Sequence, residues 1–371
     1  MKVEREIAGI AVPFVAGVAF MSWYGSFILP CQALASALTF LIIAALVITL
    51  LHPSHKSFTS LKIRIIAGLC MVLCGILCVI TSDIISIGRT IPGSIMEHIR
   101  SLGLVTGATI DRIGFTDPDT NAIIKALIIG DRSDIPRHIR DAFSRSGASH
   151  ILALSGLHLG MIYGILNVSL TALGNSPASK SLRSAIIVST CGIYTLATGA
   201  GASIVRAFIF ILLGETAKVT GRFRSTGTLL MASMLIHLTV TPEAIREVGF
   251  QLSYAAMAGI AFIFPMLQGF WPEENGSIRM KGPLKWIWTT AALSISCQIT
   301  TGPLAYLHFG TFPMYFLLTN LIALPLTGII IPAAVAVTLL TAAGWCPEIL
   351  TRATEALVTA LSEALEIISL M

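Results

Sequence analysis

Charge is scarce in this chain. Only 12% of its 371 residues are Asp, Glu, Lys or Arg, while 55% are hydrophobic. Soluble domains carry roughly 25% charged residues, so a water-facing globule is excluded and the composition reads as a polytopic membrane protein. Carboxylates at membrane depth are almost missing: Asp83 and Glu215 are the few candidates, both near the ends of apolar runs. That speaks against a cation pathway or a proton relay. The seven cysteines (Cys31, Cys70, Cys74, Cys78, Cys191, Cys297 and Cys346) lie mostly inside apolar runs rather than in a spaced framework, so disulfides are not expected. Cys70, Cys74 and Cys78 share one helical face and read as small residues packing on a neighbour. The eight histidines include no His-x-His and no His-x-x-x-His, and no glycine-rich loop follows a strand pattern. Neither a metal nor a nucleotide cofactor is therefore expected.

Apolar windows of membrane-spanning length are abundant. They cover Ile7–Leu29, Gln32–Leu51, Ile63–Ile87, Ile151–Leu173, Leu182–Thr198, Ile204–Lys218, Thr226–Val240, Val248–Leu267 and Leu284–His308. A longer run, Phe312–Ala343, contains Pro325 and Pro332 and predicts one kinked helix or two short ones. The expected fold is all-α, a polytopic transmembrane helical bundle of about nine to eleven spans with external amphipathic helices. Four regions follow: a three-span membrane region over 1–87, an external amphipathic segment over 88–147, a channel-type domain over 148–343 and a C-terminal amphipathic helix over 344–371. In the external segment, Ile95, Ile99, Leu102, Thr106, Ile110 and Ile113 form a helical stripe, and Asp117-Pro118 predicts the entry to a further short helix along the membrane surface. In the last region, the stripe Leu350, Ala353, Leu357, Leu361, Leu365 and Ile368 suits an interfacial or groove-covering helix.

Basic residues fix the expected orientation. Lys2 and Arg5, Lys56, Lys62 and Arg64, Lys180 and Arg183, Lys218, Arg222 and Arg224, and Arg279, Lys281 and Lys285 all fall on the side of the N-terminus. The short loops opposite carry essentially Arg246 alone, so the N-terminus is expected in the cytoplasm.

Three constellations carry polar chemistry into this apolar background. The first is His150-Ile-Leu-Ala-Leu-Ser-Gly-Leu-His158: on one ideal helix, His150, Ser155 and His158 share a face. A serine beside a histidine invites an intramembrane hydrolase reading, although two groups three apart on a rigid helix are poorly placed as nucleophile and base. A packed polar cluster and a substrate-path lining remain as the other readings. The second is Gly199-Ala-Gly-Ala-Ser-Ile-Val-Arg206, where Arg206 would cost roughly 2.5–3.5 kcal/mol facing lipid and so must face inward. It is there to pair with Glu215 or helix carbonyls, or to meet an anionic substrate; Ser203 shares its face. The third is the stripe Ser294, Gln298, Thr301 and His308, supplemented by Gln251, Ser253, Tyr254 and Asn320. Together these groups outline a hydrogen-bonding interior with one strong cation, which suits a flexible anionic polymer.

The same motifs carry a family resemblance. Ala126-Leu-Ile-Ile-Gly-Asp-Arg-Ser-Asp-Ile-Pro136 and Phe143–His158, ending in Ser-Gly-Leu-His, are followed in order by Gly201-Ala-Ser-Ile-Val-Arg-Ala207, Gly249-Phe-Gln-Leu-Ser-Tyr254 and Asn320-Leu-Ile-Ala-Leu-Pro325. Over roughly Asp119 to Ala343 the chain resembles the ComEC competence proteins, in a short form without the OB-like and metallo-β-lactamase-like domains of many members. The resemblance implies a channel in the bacterial inner membrane that passes single-stranded DNA inward during natural transformation, and no enzyme activity. His150, Ser155, His158, Ser203, Arg206, Gln251, Tyr254, Gln298 and Asn320 are then the expected substrate-path residues. Single-stranded DNA, the lipid bilayer, an external DNA receptor, a separate nuclease and a cytoplasmic ATP-driven motor are the implied partners. An intramembrane serine hydrolase and a secondary transporter of a small anion are the competing readings.

Overall fold

The structure, a computed structural model, describes residues 2–24, 67–80, 93–174, 176–221, 225–270, 283–310 and 314–371. The predicted span Gln32–Leu51 lies outside them. Regular structure among the described residues is helical throughout. In chain order the helices are α1 (Lys2–Tyr24), α2 (Ala67–Ile80), α3 (Gly93–Asp111), α4 (Pro118–Ile128), α5 (Arg137–Arg145), α6 (Ser149–Leu152), α7 (Gly156–Ser169) and α8 (Pro177–Ala197). They continue as α9 (Ala202–Val219), α10 (Thr226–Val240), α11 (Val248–Ala258), α12 (Phe264–Gln268), α13 (Pro283–Phe309), α14 (Phe316–Ala342) and α15 (Glu348–Ser369). Among the described residues, four stretches are long and apolar enough to cross a membrane: Glu6–Trp23, Gly156–Leu173, Val248–Gln268 and Phe316–Ala342. The chain is thus an all-helical membrane protein over its described residues.

Helix ends follow the sequence cues. Asp117 caps α4, its carboxylate accepting from Asp119 N–H and Thr120 N–H at 3.1 Å each, with Pro118 in the first turn where its missing N–H costs nothing. Prolines act differently from helix to helix. α14 runs unbroken through Pro325 and Pro332, one helix rather than two. Between α11 and α12 the chain widens into a π-turn over Gly259–Ile263. Pro265 cannot bond the carbonyl four residues back and its ring crowds it, and the wider turn immediately before relieves that conflict.

The described chain forms two compact units, 1–91 with 222–254, and 92–221 with 255–371. In the first, α1 packs on α10 and on the 3₁₀ turn Pro242–Arg246. The backbones of α1 and α2 touch at Gly17 and Gly75, where a Cβ would collide with the Val72 and Phe14 carbonyls. Cys78, from the predicted cysteine face, directs its Sγ to the Leu238 carbonyl at 3.6 Å.

The second unit is built round one apolar core. Ile110, Ile123, Ile124, Leu127, Phe143 and Ile151 pack with Ile330, Ile331, Val337, Val358, Leu361 and Leu365. Of the stripe predicted on α3, Ile110 and Ile113 are buried in this core, whereas Leu102 stands 49% exposed. α4 and α5 thus bury their apolar faces on α14 and α15. Polar bonds tie the same parts together. Thr319 Oγ1 donates to the Ser146 carbonyl at 2.7 Å, and Asp117 N–H donates to Glu355 Oε1 at 2.7 Å. α15 packs on α14 and α5, with Leu361, Leu365 and Ile368 of the predicted stripe buried. Its first half is turned by one residue, burying Thr351, Thr354 and Val358 in line with them.

Candidate functional site

The N-terminal end of α7 gathers most of the predicted polar residues of the second unit. The chain does not run as one helix through His150–His158. It leaves α6 at Leu152, passes Ala153 and Leu154, and starts α7 with Ser155 as an extended N-cap. The single face expected to carry His150, Ser155 and His158 is therefore absent, because a serine offered just ahead of an apolar run competes for the first free N–H groups and starts a new helix. Ser155 Oγ accepts from Leu157 N–H at 3.3 Å, and Ser155 N–H donates to His158 Nδ1 at 3.2 Å. This is a capping box with histidine in the usual Glu or Gln position. Since Nδ1 accepts, a neutral imidazole carries its proton on Nε2. That nitrogen belongs to a fully buried side chain and has no hydrogen-bond partner among the described residues.

Two other elements reach this point, and α13 and α14 add buried polar groups to the same unit. His150 on α6, exposed and bonded through Nδ1 to the Gly147 carbonyl at 3.1 Å, lies within electrostatic reach of His158. Arg206 comes from α9, which packs on α7; it is 8% exposed. Its Nη2 lies 2.6 Å from where a Cβ on Gly156 would stand. The Arg206 charge also reaches the Cys297 thiol on α13. One turn before Cys297, Ser294 Oγ is buried without a hydrogen-bond partner among the described residues, and so is Asn320 Oδ1 on α14, which packs on both α7 and α13.

The remaining predicted residues divide. Ser203 stands one turn before Arg206 on α9, and Gln298 sits half-buried on α13. In the predicted stripe on α13, Thr301 Oγ1 turns back to the Cys297 carbonyl at 2.8 Å and His308 is exposed. Gln251 and Tyr254 belong to the first unit. There Gln251 Nε2 donates to the Ile245 carbonyl at 2.9 Å, and Tyr254 stacks 4.4 Å from Phe250 with its hydroxyl 3.4 Å from His237 Nδ1.

Glu215 does not serve as the counter-ion of Arg206 that its place on the same helix suggests. Its carboxylate accepts from Tyr163 Oη at 2.9 Å, Ser184 Oγ at 2.6 Å and Lys218 Nζ at 2.7 Å, and Lys218 Nζ also meets the Tyr163 hydroxyl. One buried acid thereby joins α7, α8 and α9. Tyr163 and Ser184 were missed because a lone hydroxyl in an apolar run reads as helix–helix glue, and only the fold shows three of its donors meeting one carboxylate.

The decisive comparison concerns the stretch that holds this site: the competence protein family matches residues 127–371. The chain belongs to that family. It is 29% identical over 236 residues, 62% of its length, to ComE operon protein 3 of Bacillus subtilis (strain 168). It is also 23% identical over 221 residues, 58% of its length, to the uncharacterized protein YcaI of Escherichia coli (strain K12). The chain spans 28% of the length of each relative. No solved structure matches it.

Proposed function

We propose that this competence-family protein is an inner-membrane channel subunit that passes single-stranded DNA into the cytoplasm during natural transformation. One observation supports this above the rest: α7, α13 and α14 each bring a buried polar atom without a protein hydrogen-bond partner among the described residues, at His158 Nε2, Ser294 Oγ and Asn320 Oδ1. A packed, inert cluster satisfies such groups internally, since each one left unmade costs about 1–3 kcal/mol. Orphaned donors and acceptors in the same unit as a permanent cation instead suit a path whose occupant supplies the missing partners in passing. A phosphodiester chain does so, with weak multi-site contact that lets it slide.

In this reading His150, Ser155, His158, Ser203, Arg206, Gln298 and Asn320 shape the path within the second unit, and Gln251 and Tyr254 are path residues of the first. Nine to eleven spans, a cytoplasmic N-terminus and an external 88–147 segment complete the topology. The protein is no enzyme: a receptor outside, a nuclease and a cytoplasmic ATP-driven motor supply capture, strand degradation and force. The test is uptake in a competent host. Arg206→Ala abolishes transformation and Arg206→Lys retains part of it; wild-type uptake in both variants refutes the DNA path. Gradient-driven uptake of a small anion by proteoliposomes, independent of DNA, would favour a transporter instead.

A further inference from the structure

Gly156 meets Arg206 more closely than any side chain permits. A Cβ there would stand 2.6 Å from Arg206 Nη2 and 3.2 Å from the Ala207 methyl. We infer that Gly156 is a positioning residue: its missing side chain seats the Arg206 guanidinium against the first turn of α7, beside the Ser155–His158 cap. Its role in transport rests on the DNA-path reading above, whereas its contact with Arg206 does not.

Two features separate this seat from ordinary helix packing. First, the atom in conflict is the far end of a long, flexible side chain rather than backbone. An alanine at 156 is accommodated by moving the guanidinium from 2.6 Å to at least 3.4 Å, while the Ala207 methyl gives by a few tenths of an ångström. The guanidinium makes the larger move. Second, the seat lies at the positive end of the α7 dipole, where a cation gains nothing from the helix. Glu215, the acid on the same helix as Arg206, is held by Tyr163, Ser184 and Lys218. A guanidinium fixed there gives a phosphate a contact of defined position. Moving a positioned group by on the order of 1 Å can cost up to about 100-fold in function.

The experiment uses the full chain with Cys297 on α13 as its sole cysteine and reporter thiol, and Arg206→Ala sets the response expected when the head group is lost. Alkylation by a small permeant reagent, iodoacetamide, is timed in membranes, and transformation is measured in parallel. Arg206→Ala changes the alkylation rate several-fold, and Gly156→Ala shifts it in the same direction. Gly156→Ala lowers uptake at least about 10-fold with unchanged protein level. Arg206→Lys lacks the Nη2 that Gly156 accommodates, so Gly156→Ala/Arg206→Lys takes up DNA no worse than Arg206→Lys alone.

Wild-type alkylation and uptake in Gly156→Ala overturn the positioning role. So does an equal proportional loss from Gly156→Ala whether Arg206 is intact or carries the Arg206→Lys substitution, or failure of both Gly156→Ala proteins to accumulate, since each marks packing alone. If the alkylation rate shifts in Gly156→Ala while Arg206→Ala transforms normally, the seat stands and the DNA path falls.

Discussion

Ser155 Oγ and His158 Nδ1 stand 3.2 Å apart, with the Ser155 N–H directed at the same ring nitrogen. The distance is that of a dyad, but the bonds are those of a helix cap. Replacing Ser155 by Ala is expected to destabilise the protein by about 1 kcal/mol, with Ser155→Asn, another good cap, restoring most of the loss. Thermal unfolding in detergent measures both. A nucleophile admits no such rescue, and a serine-directed phosphonate should leave the wild-type protein unlabelled.

Glu215 is 4% exposed and holds donors from two other helices and its own. Glu215→Ala strands the Tyr163 and Ser184 hydroxyls and is expected to cost about 1–3 kcal/mol. Glu215→Gln keeps an acceptor and should cost less. Chemical denaturation of the purified variants separates the two; equal stability of Glu215→Ala and wild type would show that the three-helix junction is held elsewhere.

Lys125 bridges Asp111 at 2.8 Å and Asp134 at 3.2 Å in the segment preceding α6. The Lys125 hydrogen bond holds the Asp111 carboxyl below its ordinary range, with Asn121 adding to it, and Asp111 in turn raises the Lys125 ammonium. A lowered carboxyl contributes stability that is complete above its unfolded value, about 4, and is lost as pH falls through the folded one. A raised amine contributes below about 10.4 and loses its part above. Wild-type thermal stability should therefore fall relative to Asp111→Asn only below about pH 4. A constant difference down to pH 2 would contradict the bridge.

Leu361 is fully buried on α15 and Ile367 is 59% exposed. Leu361→Ala is expected to cost about 2–5 kcal/mol and Ile367→Ala well under 1 kcal/mol, compared by unfolding in the same detergent. Similar losses at both positions would mean that α15 buries a different face.

Composition and periodicity made the helical, membrane character legible, down to Asp117 as a cap and the buried second half of α15. They misjudged the His150–His158 stretch because periodicity counts residues as though one helix carries them. Whether Ser155 caps or continues a helix is decided by a hydrogen bond that no apolar pattern records. The joint core of 110–152 with 323–365 was equally invisible, since an amphipathic face announces that it will be covered without naming what covers it. Gly156 read as a small residue allowing close approach; that the approaching group is the Arg206 head required the crossing of α7 and α9.

That joint core also sets a schedule for making the protein. Ile123, Ile124 and Leu127 emerge from the ribosome more than 230 residues before Val358 and Leu361, which share the finished core. At about 5–20 residues per second the interval is on the order of 10–40 s. Through that wait the apolar face of α5 lacks α15, its final partner, and chains that terminate ahead of Val358 never acquire it. Stalled or truncated synthesis products should be recognised by membrane quality control through this uncovered face.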